Sequence, residues 1–165
     1  MSSALKNLSS YAPETVPNGR EMKIAVVVSE WNHEITGALK EGAILTLKKH
    51  GVLEENIMVC YVPGSFELPS AAHLVLSART DMDAVICLGC VIQGETRHFD
   101  FICDAAAQGI KDVSLKFNKP VIFGVLTPNN QQQAADRAGG KHGNKGDEAA
   151  ITALKMVDLA QQLNS

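Results

Sequence analysis

Apolar positions along this chain follow two rhythms. Short unbroken runs alternate with longer stretches in which apolar residues recur every three to four positions. The runs are 23–30 (KIAVVVSE), 56–63 (NIMVCYVP), 83–90 (DAVICLGC) and 120–127 (PVIFGVLT). Continuous runs of this kind, rich in Val and Ile, predict strands buried on both faces. Between the first two, Ile35, Leu39, Ala43 and Leu47 keep helical spacing. Asn32 is placed to cap that helix and Gly51 to end it. A second helix is expected from about Glu67, with Pro69 tolerated in its first turn. A long third helix is expected from about Thr96 to Lys116, and a short fourth over 130–138. Residues 139–146 (GGKHGNKG) read as a loop. In the last helix Ala150, Ala153, Leu154, Val157 and Ala160 share one face. Residues 1–22 are polar, with Pro13, Pro17 and Gly19, and read as an N-terminal arm ahead of a single domain over 23–165.

Strand and helix alternation implies a parallel sheet covered on both sides. Right-handed crossovers leave few topologies. The expectation is a flavodoxin-like, three-layer α/β/α fold with a four-stranded parallel sheet in the order 2-1-3-4. Ligands in such sheets bind beyond the carboxyl ends of the strands. The unusual residues of the chain fall there. Trp31 and Asn32 follow the first run, and Gly64-Ser65-Phe66-Glu67 follow the second. Gln93-Gly94-Glu95-Thr96-Arg97-His98 follow the third. A freed glycine backbone, a hydroxyl, unpaired amides and an imidazole then meet at one strand end. That combination suits holding a phosphate and moving protons beside it.

Composition narrows the class. At 165 residues, with 45% hydrophobic and 20% charged residues, the chain has the make-up of one soluble globular domain. The net charge of −3 argues against nucleic acid or an anionic membrane as partner. No apolar run approaches the roughly 18 residues of a membrane span. The first eight residues, MSSALKNL, lack the basic-then-apolar pattern of a secretory signal. Cys60, Cys87, Cys90 and Cys103 all lie in apolar segments. Cys87 and Cys90 have C-x-x-C spacing, but positions three apart on a strand point to opposite faces. No second Cys or His pair completes a zinc site. Buried free thiols in a reducing cytoplasm are expected.

Each rim residue has two readings. Trp31 either covers the sheet edge or offers a stacking plate for a flat heterocycle. Glu67 either complements a helix dipole or accepts hydrogen bonds from sugar hydroxyls. Thr96 caps a helix, and a capped terminus with free amides also holds phosphate. His98 in a first helical turn faces the positive end of the dipole, which favours a neutral imidazole able to accept a proton. Arg137 is either a solvated helical arginine or a two-pronged phosphate clamp. Lys141 and Lys145 are solvated or accessory cations. Phe123, inside an apolar run, reads first as core.

Taken together, Trp31-Asn32, residues 62–69 (VPGSFELP), 89–98 (GCVIQGETRH), 120–127 (PVIFGVLT) and Arg137-Ala-Gly with 143–146 (GNKG) closely resemble the lumazine synthase family over about residues 23–160. The resemblance implies a reaction. That family condenses 5-amino-6-(D-ribitylamino)uracil with 3,4-dihydroxy-2-butanone 4-phosphate, giving 6,7-dimethyl-8-ribityllumazine, phosphate and water. This is the penultimate step of riboflavin biosynthesis, and it uses no metal or organic cofactor. The family's pyrimidine-stacking aromatic matches Trp31, where phenylalanine is common. Its pyrimidine and ribityl contacts match Asn32, Ser65, Phe66, Glu67, Cys90, Val91 and Ile92. Its phosphate site matches Glu95, Thr96 and Arg137, and its catalytic histidine matches His98. At position 95 the backbone amide is the expected ligand, because a carboxylate facing phosphate would repel it. Phe123 matches an aromatic that reaches a neighbouring subunit's site. The resemblance further implies a homopentamer, a 60-subunit icosahedral shell in many bacterial relatives, and association with riboflavin synthase. The short 139–146 segment favours the shell. The arm is placed to add to a neighbour's sheet edge.

Other classes fit the fold less well. A flavodoxin-type electron carrier wants a hydroxyl- and glycine-rich loop after the first strand, where Glu30-Trp31-Asn32-His33 stands. A phosphoacceptor signalling domain wants an aspartate where Cys90 and Val91 stand. A non-catalytic flavin-binding or shell-forming protein would keep the same rim.

Overall fold

The four apolar runs pair as four parallel strands: β1 (Ile24–Ser29), β2 (Ile57–Val62), β3 (Ala84–Cys90) and β4 (Val121–Leu126). Their order is β2-β1-β3-β4, as the alternation of strand and helix implied. These coordinates come from a computed structural model, which describes residues 9–164. The first eight residues of the expected arm, including the stretch read for a secretory signal, lie outside the described residues.

Val26 of β1 stands opposite Val59 of β2 on one side and Ile86 of β3 on the other. Every residue of β1 and β3 is buried, as befits inner strands covered on both faces. The alternation of the pleat sorts the side chains into two cores. Ile24, Val26 and Val28 pack with Ile35, Leu39, Ala43 and Leu47 of α1 (His33–Lys49) and with Ala150, Ala153 and Leu154 of α5 (Lys145–Leu163). Ala25, Val27 and Val85 pack with Leu68, Ala72 and Leu76 of α2 (Leu68–Ala78) and with Ile110 and Val113 of α3 (His98–Phe117). A three-layer α/β/α fold results. Among the described residues, no helix is long and apolar enough to cross a membrane.

Several local expectations shift. Helix α3 opens at His98, two residues after Thr96. Helix α4 (Gln131–Asp136) is capped by Asn130, whose side chain accepts from the Gln133 amide at 2.9 Å. The expected 139–146 loop is instead a small antiparallel hairpin of β5 (Ala138–Gly140) and β6 (Gly143–Asn144), running directly into α5. Asn144 caps α5 by accepting from the Gly146 amide at 2.8 Å. This cap starts the helix before the glycine-rich stretch has ended. Phe123, expected in the core, is 37% exposed on outer strand β4.

Residues 9–22 lie along α1 and α5. The Tyr11 hydroxyl meets Nε2 of His50 at 2.9 Å, Val16 packs on the first core, and Met22 is buried. The four cysteines are free. Cys87 and Cys90 enter opposite cores, as their spacing required. Burial pushes both thiols up to about 12, with Cys103 adding to the effect at Cys90.

Candidate active site

The strands end in a crevice of about 570 Å³ lined by residues from three separate connections. After β1 the chain turns sharply at Asn32, whose φ of 58° and ψ of 45° put it in the left-handed region. Asparagine tolerates that region better than most side chains. The expected side-chain cap of α1 is absent. The Asn32 amide group crosses the mouth of the sheet instead and donates to the Cys90 carbonyl at 2.9 Å. The turn leaves Trp31 standing at the rim, 73% exposed. An indole so uncovered is not packed over the sheet within its own chain.

After β2, Gly64 leads into a single helical turn over Ser65–Glu67. A Cβ at position 64 would lie 3.1 Å from Oε2 of Glu67 and 3.3 Å from Cδ1 of Trp31. The carboxylate and the indole therefore flank the same backbone. Ser65 is buried, and its hydroxyl has no hydrogen-bond partner among the described residues. A polar atom buried in that state costs free energy unless a ligand or water satisfies it. Its close approach to Gly89 of β3 leaves no room there for any larger side chain. Phe66 projects beside the opening, 55% exposed.

The third wall follows β3. The Val91 amide donates to Leu126 and the Gln93 amide to Pro128, both towards β4. Strand alternation then turns the Ile92 amide to the side that β1 has vacated. Cys90, Val91 and Ile92 line the crevice. His98 opens α3 with its side chain exposed, and Ile102 lines the crevice one turn later. Thr96 hydroxyl accepts from the His98 amide at 3.4 Å, so it braces the helix start from outside the first turn. Glu95 and Thr96 are exposed in the 94–97 segment. Their backbone amides have no protein acceptor among the described residues.

The crevice thus brings together Trp31, Asn32, Ser65, Phe66, Glu67, Cys90, Val91, Ile92 and His98. It does not bring in Glu95, Thr96, Arg137, Lys141, Lys145 or Phe123. Arg137 follows α4, and its hairpin packs on α1 and α5, across the sheet from α3. There its guanidinium pairs with Glu148 at 2.7 Å and donates to the His142 carbonyl at 2.8 Å. Lys145 shares Glu148 at 3.3 Å, and Lys141 pairs with Asp136 at 3.2 Å. Phe123 lies on the α3 face of β4, opposite Cys87. Gly64, one of the rim residues after the second run, lines the crevice, and so does Ile102, which the sequence reading passed over. The latter was signalled only by standing four residues after His98, on the same helical face.

Residues 21–161 match the family model described as 6,7-dimethyl-8-ribityllumazine synthase. The chain belongs to that family. Curated proteins of the same name include one from Cytophaga hutchinsonii, 64% identical over 157 residues that cover 95% of this chain and 98% of the relative. Another, from Phocaeicola vulgatus, is 52% identical over 164 residues, or 99% and 96% of the two chains. A third, from Porphyromonas gingivalis, is 53% identical over 159 residues, or 96% and 98%. Membership in the lumazine synthase family makes the chain an enzyme of the transferase class within riboflavin biosynthesis.

Proposed function

We propose that the crevice joins 5-amino-6-(D-ribitylamino)uracil to 3,4-dihydroxy-2-butanone 4-phosphate, releasing phosphate and water and forming 6,7-dimethyl-8-ribityllumazine. One observation carries the reading. An uncovered indole, a buried hydroxyl without a partner among the described residues, a carboxylate and an imidazole line one cavity at the strand ends. Trp31 stacks on the pyrimidine. The Ile92 amide and Ser65 hydroxyl meet its polar edge, and Glu67 accepts from ribityl hydroxyls. The open amides at 95 and 96 receive the phosphate.

The amine attacks the ketone carbonyl to give a carbinolamine, which loses water to an imine. Phosphate departs by β-elimination, and ring closure with loss of a second water completes the lumazine. Every step moves a proton, and His98 at the crevice wall takes and returns it. Holding the two reactants together supplies much of the acceleration.

Arg137 is a phosphate ligand in this reading, and Phe123 a wall of the site. Both stand outside the crevice of their own chain, so both act on the crevice of an adjacent copy. A homopentamer supplies such contacts, and a 60-subunit shell extends them. The decisive test mixes the two substrates with the purified protein and follows lumazine absorbance, with sedimentation alongside. Product formation supports the reading, whereas an inactive, correctly folded assembly contradicts it.

A further inference from the structure

We infer that Ser9, in the N-terminal arm, is a positioning residue that holds the Arg137 hairpin in its binding geometry, an inference that rests on reading Arg137 as a phosphate ligand. The β5–β6 hairpin pairs only Ala138 with Asn144 and Gly140 with Gly143, with an irregularity between them. A two-stranded ribbon of that length has little stability of its own. On its inner side, the Asn144 side chain anchors it by donating to the Ala38 carbonyl at 2.9 Å and accepting from Gly146. On its outer side, the Asn144 backbone points away from β5. There the Ser9 hydroxyl donates to the Asn144 carbonyl at 2.9 Å and accepts from the Asn144 amide at 2.6 Å. One hydroxyl thereby satisfies both backbone groups that a third strand would otherwise pair.

Those bonds reach Arg137 through the next residue. The Lys145 amide donates to the Arg137 carbonyl at 2.9 Å, and α5, which starts there, carries Glu148 to the guanidinium. Ser9 is itself held, because Tyr11 meets His50 and the Lys155 ammonium donates to Thr15 at 3.3 Å. The arm therefore braces the cationic end of the hairpin from outside, and its loss is felt at Arg137 rather than at the pyrimidine wall.

The test is steady-state kinetics of the full-length Ser9→Ala, Ser9→Thr and Arg137→Ala variants, with each substrate varied separately. Removing one bridging hydroxyl is expected to raise KM for the phosphate substrate roughly fivefold. KM for the ribitylaminouracil and kcat stay near wild type, and Ser9→Thr, which keeps the hydroxyl, restores the phosphate KM. Adding Ser9→Ala to Arg137→Ala gives no further rise, because the group it positions is gone. A Ser9→Ala variant that raises both KM values equally, or lowers only the melting temperature, overturns the inference. If Arg137→Ala raises the phosphate KM while Ser9→Ala does not, the inference alone fails. If Arg137→Ala leaves that KM unchanged, the reading of Arg137 fails and the inference falls with it.

Discussion

The side-chain amide of Asn32 donates to the Cys90 carbonyl at 2.9 Å, tying the end of β1 to the end of β3 across the floor of the crevice. Asn32 also supplies the left-handed turn that lifts Trp31 to the rim. Two substitutions separate these roles. Asn32→Gly keeps the backbone conformation and loses the hydrogen bond, at a cost of about 1 kcal/mol. Asn32→Ala also loses the hydrogen bond and costs about 1 kcal/mol more, since alanine is then held in the left-handed region. Thermal melts of the two variants check the order. Equal melting temperatures would mean that the turn conformation contributes nothing.

His98 stands exposed at the start of α3, facing the cavity rather than the core. Replacing it should therefore leave the fold intact and act on proton transfer alone. The expected loss in kcat for His98→Ala is about a hundredfold, at the low end for a general acid or base, because reactant proximity is untouched. Single-turnover rates that match the wild type would remove His98 from the chemistry.

Gly89 has the Ser65 side chain and the Leu68 side chain against it, the nearer Leu68 carbon 3.0 Å from where a Cβ would stand. Gly89→Ala pushes Ser65 into the cavity and strains the α2 core, costing about 1–3 kcal/mol as overpacking. The variant should melt lower and bind the ribitylaminouracil more weakly. A melt indistinguishable from wild type would show that Ser65 moves aside freely.

How far the sequence led can be judged at single residues. Strands such as β1 and β3 were legible because a buried parallel strand needs an unbroken apolar run, and helix α1 because Ile35, Leu39 and Ala43 line one face. The role of Asn32 was not legible: its spacing suited a helix cap, whereas its partner, Cys90, is 58 residues away in the chain. The β5–β6 hairpin was hidden because glycines promise a loop, while its pairing depends on Asn144 being held by Ala38 of α1. Arg137 was recognisable as a cation worth noting. Its separation from His98 was not, since which face of the sheet a connection covers is decided by packing over the whole domain.

Acid should loosen the arm through His50. Burial, with Lys49 beside it, lowers the pKa of this imidazole below the ordinary 6.5. The Tyr11 hydroxyl meets Nε2 of the ring at 2.9 Å, and Lys49 also lies over the Tyr11 ring. Because the folded value lies below the unfolded one, the unfolded chain takes up the proton first as pH falls. The contribution is fully present above 6.5 and is lost as pH drops from 6.5 through the folded value. His50→Gln, which keeps a polar partner for Tyr11 without titrating, should flatten the fall in melting temperature between about pH 7.5 and pH 5.5, the span around the ordinary histidine pKa. The same slope in both proteins would assign the acid sensitivity to other groups.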